Sequence, residues 1–170
     1  MAYDFEQVLR AAKVLEHENV EFILQGGGEL ASSVKKRVRE LGLFNVKVLD
    51  KVLPREKVAR LLCQADALLL PLRDFGRPYL GISSKLYEYQ AVGKPIICIA
   101  RGAPALHVLE TGAGIVVKPG DHETLVQAVL FLMKSRETAE KMGKEGRMSL
   151  EQNSTLEKIG MELIDALKCL

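Results

Sequence analysis

The stretch "SKLYEYQAVGKPIICIA", residues 84–100, contains the change of pattern that decides the fold class. Its first part predicts a helix, and the apolar run "KPIICIA" after Gly93 predicts a buried strand. A continuous apolar strand that directly follows a helix is typical of a parallel sheet, because both faces of such a sheet are covered.

The same alternation extends outward from this stretch in both directions. Four further strands are predicted at residues 20–25, 45–50, 66–72 and 112–118. Helices are predicted at residues 4–16, 31–43, 54–65, 104–110 and 122–135, with Asp121 as an N-cap and helical sequence from 136 onward. This pattern predicts an α/β fold, a doubly wound Rossmann-like parallel sheet with helices on both faces, in one domain over residues 1–170.

The order of the elements has one irregularity, because the chain opens on a helix. A doubly wound unit normally opens on a strand that leads into its first helix. We therefore expect a sheet that lacks its usual first strand, in a chain that is a fragment of something longer.

Composition excludes several classes of function. The 170 residues are 48% hydrophobic and 27% charged, with a net charge of +2, 5% aromatic residues and no Trp. A nucleic-acid partner is not expected from these values. No apolar run approaches the length of a membrane span.

The cysteines also limit the possible functions. Cys63, Cys98 and Cys169 lack zinc-site spacing, so we expect no metal site. Cys98 lies in an apolar run and is predicted to be a buried thiol. We expect a reducing, cytoplasmic setting.

Two junctions between a strand and a helix could bind phosphate. In the first, Gly26, Gly28 and Ala31 match the dinucleotide pattern G-x-G-x-x-G/A, and Asp50 ends the next strand where a ribose-binding carboxylate is expected. An NAD(P)-type oxidoreductase domain is therefore one hypothesis. A purely steric glycine turn is the favoured interpretation, because short motifs of this kind often occur by chance.

The second junction precedes the helix of the opening stretch. Gly81 would let the backbone approach a ligand, and Ser83 or Ser84 would cap the helix. The positive end of the helix dipole and Lys85 favour a phosphate, and Glu88 could accept hydrogen bonds from ribose hydroxyls one turn further along.

An ordinary capped helix with solvated Lys85 and Glu88 is the competing interpretation of this junction. The small residues Ala91 and Gly93 predict close packing of the helix against the sheet. On that basis the helix would be half-buried, and Glu88 would need a functional reason to be there.

Residues 83–121 resemble the donor-binding segment of the retaining group 1 glycosyltransferases, which are GT-B enzymes. The block "SSKLYEYQAVGKP" is similar to the family pattern P-S-K-L-x-E-Y-x-A-x-G-K-P, and the likeness covers nearly the whole chain. The resemblance implies the C-terminal half of a two-domain enzyme, which binds a nucleotide-diphosphate sugar as substrate, without a cofactor, in polysaccharide or glycoconjugate synthesis.

The resemblance also implies roles for individual residues. Lys85 would stabilise the leaving diphosphate and is the expected catalytic group, and Glu88 would bind the ribose. The other implied contacts are Gly81, Ser83 and Ser84 at the diphosphate, Lys51, Val52 and Leu53 at the base, and Gly26, Gly27 and Gly28 at the rim of the cleft.

This sequence departs from the family pattern in several ways. Leu80 stands where many relatives have a sugar-binding Glu, and Ser83 replaces a Pro. The family's opening strand, with its phosphate-binding Arg and Lys, would lie at or before Met1.

These departures have consequences for activity. The acceptor-binding half is absent, so the isolated chain is expected to be inactive, and any membrane contact would come through that half. None of His17, His107 and His122 is expected to be a catalytic base. A nucleotide-binding module without catalytic activity is a further alternative.

Overall fold

The computed structural model describes residues 3–168, so Met1 and Cys169 lie outside the described part of the chain. The strands are β1 (Phe22–Gln25), β2 (Val46–Leu49), β3 (Leu68–Pro71), β4 (Ile96–Ile99) and β5 (Gly114–Val117). The helices are α1 (Glu6–Val14), α2 (Glu29–Glu40), α3 (Arg55–Gln64), α4 (Ser84–Val92), α5 (Ala103–Glu110), α6 (His122–Lys134), α7 (Arg136–Asn153) and α8 (Leu156–Lys168). The predicted order of elements is confirmed.

All strand pairs are parallel, and they form two groups. β1 pairs with β2, with Phe22 opposite Val46. β3, β4 and β5 form a three-stranded sheet in which Ile96 lies opposite Leu68 on one side and Gly114 on the other. Among the described residues, no ladder joins β1 to β3.

The central strand β4 shows why the sheet needs helices on both faces. Ile97 and Ile99 belong to a core cluster with residues of α1 and α6. Ile96 and Cys98 belong to a second cluster, with residues of α4 and α5. Side chains alternate between the two faces of a strand, so every residue of β4 is buried. Burial also raises the pKa of the Cys98 thiol to about 12.

Helix α1 contacts both groups of strands. Its residues Val8 and Ala11 pack in the cluster that contains Ile97. Leu9 and Ala12 pack instead with residues next to β1 and β2. One amphipathic helix therefore covers the space between the two groups of strands on one face of the protein.

The loop that leads into α6 is held from two sides. The side chain of buried Gln7, on α1, donates to the carbonyl oxygens of Lys118 (3.2 Å) and Asp121 (2.8 Å), and its oxygen accepts from the Gly120 amide (2.7 Å). The Asp121 carboxylate accepts a hydrogen bond from the Thr124 amide at 2.9 Å. The predicted N-cap at Asp121 is confirmed.

The packing of α4 differs from the prediction. Ala91 is exposed, and Gly93 ends the helix in the left-handed conformation, with φ of 73°. A Cβ atom added to Gly143 of α7 would overlap the Gly93 carbonyl. Gly143 therefore allows α7 to approach the end of α4, and the atoms nearest an added Cβ on Gly93 belong to α7 and not to the sheet. The expected packing of Ala91 and Gly93 against the sheet was wrong.

Helix α8 stands apart from the core. None of its residues is buried, and the side chains of Leu156, Ile159 and Leu163 are exposed. Over residues 3–168, no helix combines the length and the apolar character needed to cross a membrane.

Candidate functional site

Three loops meet at one edge of the protein because the strands that lead into them are parallel. The loops are residues 26–28 after β1, 50–54 after β2 and 72–83 after β3. The carboxyl ends of parallel strands lie at the same edge of an α/β sheet, where such folds bind ligands. The residues expected to bind the donor belong to these loops or to the first turns of α4.

The start of α4 presents a cation and a carboxylate on one face. Lys85 and Glu88 lie three residues apart, and within residues 3–168 neither side chain makes a hydrogen bond or an ion pair. The helix is half-buried as expected, with Leu86 and Gln90 inside, but Glu88 lies on its exposed face. Its position therefore costs little desolvation, and its carboxylate is accessible to a ligand.

The N-cap of α4 was only partly predicted. Ser83 is the N-cap residue, but its side chain makes no capping hydrogen bond, and Ser84 is the first helical residue. A helix begins with backbone N–H groups that lack intrahelical acceptors, and these groups favour an anion. The absence of a side-chain cap leaves this end of α4 accessible.

A cleft of about 1460 Å³ connects the site to the space between the two groups of strands. Gly26, Gly27 and Gly28 line it on one side, and Lys85 and Glu88 line it on the other. The remaining predicted residues, Gly81, Ser83, Ser84, Lys51, Val52 and Leu53, are not among those lining this cleft.

The loop after β2 contacts the glycine turn. The Gln25 side chain donates a hydrogen bond to the Lys51 carbonyl at 3.0 Å. A Cβ atom on Gly27 would come within 3.0 Å of a Val52 methyl group, so a larger residue at position 27 would push this loop away. The side chain of Val52 is itself 86% exposed. The glycine turn at residues 26–28 and the loop that is expected to bind the base thus form one continuous surface.

Tyr3 is a site residue that the sequence reasoning missed. It lines the same cleft as Lys85 and Glu88 and packs against the core beside α4 and α5. Burial raises the pKa of the Tyr3 phenol, the neighbouring Ser83 side chain opposes this rise, and the Glu88 carboxylate adds to it. No motif marked Tyr3, because it lies before the first predicted element and reaches the site only through the fold.

Tyr79 fixes the loop that precedes α4. Its amide donates to the Arg101 carbonyl at 3.1 Å, its carbonyl accepts from the Ala103 amide at 2.8 Å, and its hydroxyl donates to the Arg73 carbonyl at 2.8 Å. The next residue, Leu80, is 97% exposed. Leu80 therefore has no packing role, although its neighbour is firmly held.

The dinucleotide hypothesis fits the geometry poorly. Gly26–Gly28 do form a turn between β1 and α2, but Glu29 places a carboxylate in the first turn of α2, where pyrophosphate would bind. Asp50, the expected ribose ligand, forms a 3.0 Å ion pair with Lys35 of α2. Both features disfavour an anion at this helix.

His107 has a structural environment. Its Nε2 lies 3.0 Å from Oε1 of Gln90, and its ring meets the Tyr87 ring edge to face. Burial lowers the pKa of His107. The His107 imidazole thus already contacts other side chains of the protein. The side chain of His17 is 86% exposed.

Curated relatives of known activity match most of this chain. It is 30% identical over 139 residues to the D-rhamnosyltransferase WbpZ of Pseudomonas aeruginosa, a match that covers 81% of this chain and 35% of that protein. It is 26% identical over 153 residues to the O-antigen chain mannosyltransferase C of Escherichia coli, a match that covers 89% of this chain and 39% of that protein. The chain therefore spans little more than a third of the relatives it matches.

The fold is shared with solved structures. The Anabaena protein Alr3699/HepE, in complex with UDP-glucose, superposes with a TM-score of 0.77 at 17% identity, over 96% of this chain and 44% of that one. This match supports the assignment of a Rossmann-like domain of the GT-B kind. The family model for glycosyl transferases group 1 matches residues 2–149. The chain belongs to the glycosyl transferases group 1 family.

Proposed function

We propose that this chain is the donor-binding half of a retaining glycosyltransferase, which binds a nucleotide-diphosphate sugar at the start of α4. The observation that carries the proposal is the pair Lys85 and Glu88. Both side chains line one cleft, and both lack partners within residues 3–168. No charged group of the described residues pairs with either side chain, and both lie at a helix end that favours phosphate.

The proposed division of roles follows the direction of α4. The diphosphate binds at the amides and hydroxyls of Ser83 and Ser84, with Gly81 in the approaching loop. Lys85 compensates the charge that develops on the leaving diphosphate, which makes it the catalytic group of this half. Glu88 accepts hydrogen bonds from the ribose hydroxyls. The base lies along Lys51, Val52 and Leu53, and Gly26–Gly28 form the rim.

Family membership and the activities named for two relatives support the wider role. WbpZ and the E. coli enzyme are a rhamnosyltransferase and a mannosyltransferase, and the second acts on the O-antigen chain. We propose by analogy that the complete enzyme transfers a hexosyl group during polysaccharide or glycoconjugate synthesis, without a cofactor. It would act in the cytoplasm, with any contact to the inner face of the membrane made through an acceptor-binding half.

Transfer requires more than this domain. An acceptor and a donor must be held together in a closed site. We propose that an acceptor-binding half completes this site and that residues 1–170 alone bind donor without transferring sugar.

Calorimetric titration of UDP, GDP and ADP into the chain tests the proposal. At least one should bind weakly, and Lys85→Ala and Glu88→Ala should each reduce affinity about tenfold or more. Glu123→Ala and Lys134→Ala are matched controls, since both residues are exposed on α6. Binding that neither site variant affects, or no binding of any of the three nucleotides, would contradict the proposal. NAD is the comparison ligand for the dinucleotide hypothesis.

A further inference from the structure

The loop between β3 and α4 presents an aromatic ring outside the cleft of the candidate donor site. Phe75 is 53% exposed and, like Arg73 and Arg77 of the same loop, is not among the residues that line that cleft. A single exposed apolar residue is common on protein surfaces and needs no special explanation. Phe75 differs from such a residue because both its backbone and its ring are held in place.

Hydrogen bonds fix the backbone on both sides of Phe75. The Asp74 carboxylate accepts a hydrogen bond from the Gly76 amide at 2.8 Å and another from the Arg101 side chain at 3.2 Å. The three hydrogen bonds of Tyr79 described above hold the loop a few residues further along. A surface that is already ordered loses little conformational entropy when it binds a ligand. This loop is therefore preorganised for binding.

Two neighbouring side chains position the Phe75 ring. The Tyr79 ring meets it edge to face, with centroids 6.2 Å apart and planes at 62°. The guanidinium carbon of Arg73 lies 5.9 Å from the centroid of the Phe75 ring, within the range of a cation–π interaction. Phe75 remains half exposed in the presence of both contacts, so part of its ring is accessible to a ligand.

The charge of this loop favours an anionic ligand. Arg73 and Arg77 are exposed, and within residues 3–168 neither forms an ion pair. Asp74, the only acidic residue of the loop, is already paired with Arg101. A guanidinium can bind a carboxylate or a phosphate through two hydrogen bonds. The ring and the two cations thus lie together on one short, fixed segment.

A sugar that carries a carboxylate or a phosphate matches both features of this segment. The C–H groups on the face of a sugar ring carry a small positive charge and pack against the negative face of an aromatic ring. The acidic group of the sugar would meet the arginines. An extended apolar surface would fit less well, because Phe75 is flanked by Asp74 and Gly76 and has an arginine two residues away on each side.

We propose that Phe75, Arg73 and Arg77 form a second binding site, which holds one negatively charged sugar unit outside the donor cleft. Phe75 packs against the sugar ring, and the two arginines bind its carboxylate or phosphate. The further assignment of this sugar to the acceptor rests on the proposed function, because the same loop leads into the donor-binding end of α4. This half of the enzyme would then contact the acceptor as well as the donor.

Titrations followed by the NMR shifts of backbone amides test this proposal. The ligands are methyl glucuronoside, mannose 6-phosphate, the neutral methyl mannoside and inorganic phosphate, each in the absence and in the presence of UDP, GDP or ADP. The two charged sugars should shift the amides of residues 73–77 and bind at least about threefold more tightly than the other two ligands. No nucleotide should displace them. The tighter of the two charged sugars identifies the acidic group that the site prefers.

Substitutions separate the role of the ring from the role of the charge. Phe75→Leu keeps an apolar side chain without the ring, so affinity for the charged sugars should fall about threefold or more, whereas Phe75→Tyr should retain it. Arg77→Gln should remove the preference for charged over neutral sugars. Phe44→Leu and Arg39→Gln are matched controls, since both residues are exposed and lie near the opposite edge of the sheet.

Several outcomes would overturn the proposal. They are equal affinity of Phe75→Leu and the wild-type chain for the charged sugars, equal binding of charged and neutral sugars, and inorganic phosphate bound as tightly as mannose 6-phosphate. Displacement by a nucleotide would also overturn it, since the sugar would then occupy the diphosphate site. If a nucleotide binds and no sugar does, this proposal fails and the donor site stands. If charged sugars bind and no nucleotide does, the proposed donor site fails and the second site stands.

Discussion

The Nε2 atom of His107 lies 3.0 Å from Oε1 of Gln90, and this contact joins α5 to α4 beneath the candidate site. The Gln90 amide also donates to the Thr111 hydroxyl at 3.2 Å, and that hydroxyl donates to the His107 carbonyl at 2.7 Å. Gln90 is only 1% exposed. The position of α4, and with it the placement of Lys85 and Glu88, therefore depends on a small closed network.

This network should make stability depend on pH. Burial lowers the pKa of His107 in the folded state, so the unfolded chain binds a proton at a higher pH than the folded chain does. The stabilising effect is present above the unfolded pKa, about 6.5. It is lost as the pH falls through the lower folded value. Urea unfolding between pH 8 and pH 5 should show this fall in the free energy of unfolding.

Substitution of His107 separates its contribution to the pH dependence of stability from that of other titrating groups. His107→Gln should weaken the fall between pH 8 and pH 5, because the titrating group is gone. His17→Gln is the control, since its side chain is 86% exposed. An identical pH profile for the wild-type chain and His107→Gln would show that the network does not titrate in this range.

Gly102→Ala should move the loop that precedes α4. Gly102 has φ of 83°, and a Cβ atom there would collide with backbone atoms of Tyr79. Backbone strain and the clash should lower the free energy of unfolding by about 2–4 kcal/mol in total. Nucleotide binding should also weaken. Chemical unfolding and nucleotide titration provide the measurements.

Gly76→Ala is the matched control for this substitution. Gly76 also has positive φ, 75°, but no atom lies within 4 Å of an added Cβ. Gly76→Ala should therefore lower the free energy of unfolding only by the conformational cost of the positive φ, about 1 kcal/mol. Equal losses for the two variants would mean that the contact between Gly102 and Tyr79 does not matter.

The caps of two helices should differ in their contribution to stability. Asp121 accepts hydrogen bonds from the Thr124 amide and hydroxyl at 2.9 and 2.7 Å, and these bonds lower the pKa of its carboxyl group. Asp121→Ala should lower the Tm by about 2–4 °C. Ser83→Ala should leave the Tm nearly unchanged, because Ser83 occupies the N-cap of α4 without making a capping bond. A larger fall in Tm for Ser83→Ala than for Asp121→Ala would contradict this assignment.

Local signals in the sequence were sufficient to place the elements. The helix predicted at residues 84–92 begins and ends at those residues, because Gly93 marks its end and an apolar strand follows. β4 was predicted from four consecutive apolar residues, and its burial on both faces follows from the helices on either side.

The environment of individual side chains could not be derived in the same way. Apolar and polar residues are mixed around α4, so the sequence does not show which face is buried. The partners of α4 are distant in sequence, and one of them is α7, about fifty residues further along the chain, whose Gly143 meets Gly93. Leu86 is buried with residues of β3, β4 and α5, whereas Glu88 and Ala91 are exposed. The argument from burial for a functional Glu88 therefore does not hold, because this side chain is exposed.

Tyr3→Phe tests whether the residue that only the fold brings to the site takes part in binding. The phenyl ring keeps the packing beside Leu72, while the variant removes the hydroxyl next to Ser83. We expect nucleotide affinity to fall about threefold to tenfold, the effect of one hydrogen bond, with little change in Tm. Tyr87→Phe is the control, because Tyr87 lies on α4 but faces His107. If both variants bind nucleotide as the wild-type chain does, the Tyr3 hydroxyl has no role in the site, and Ser83 alone would serve the diphosphate.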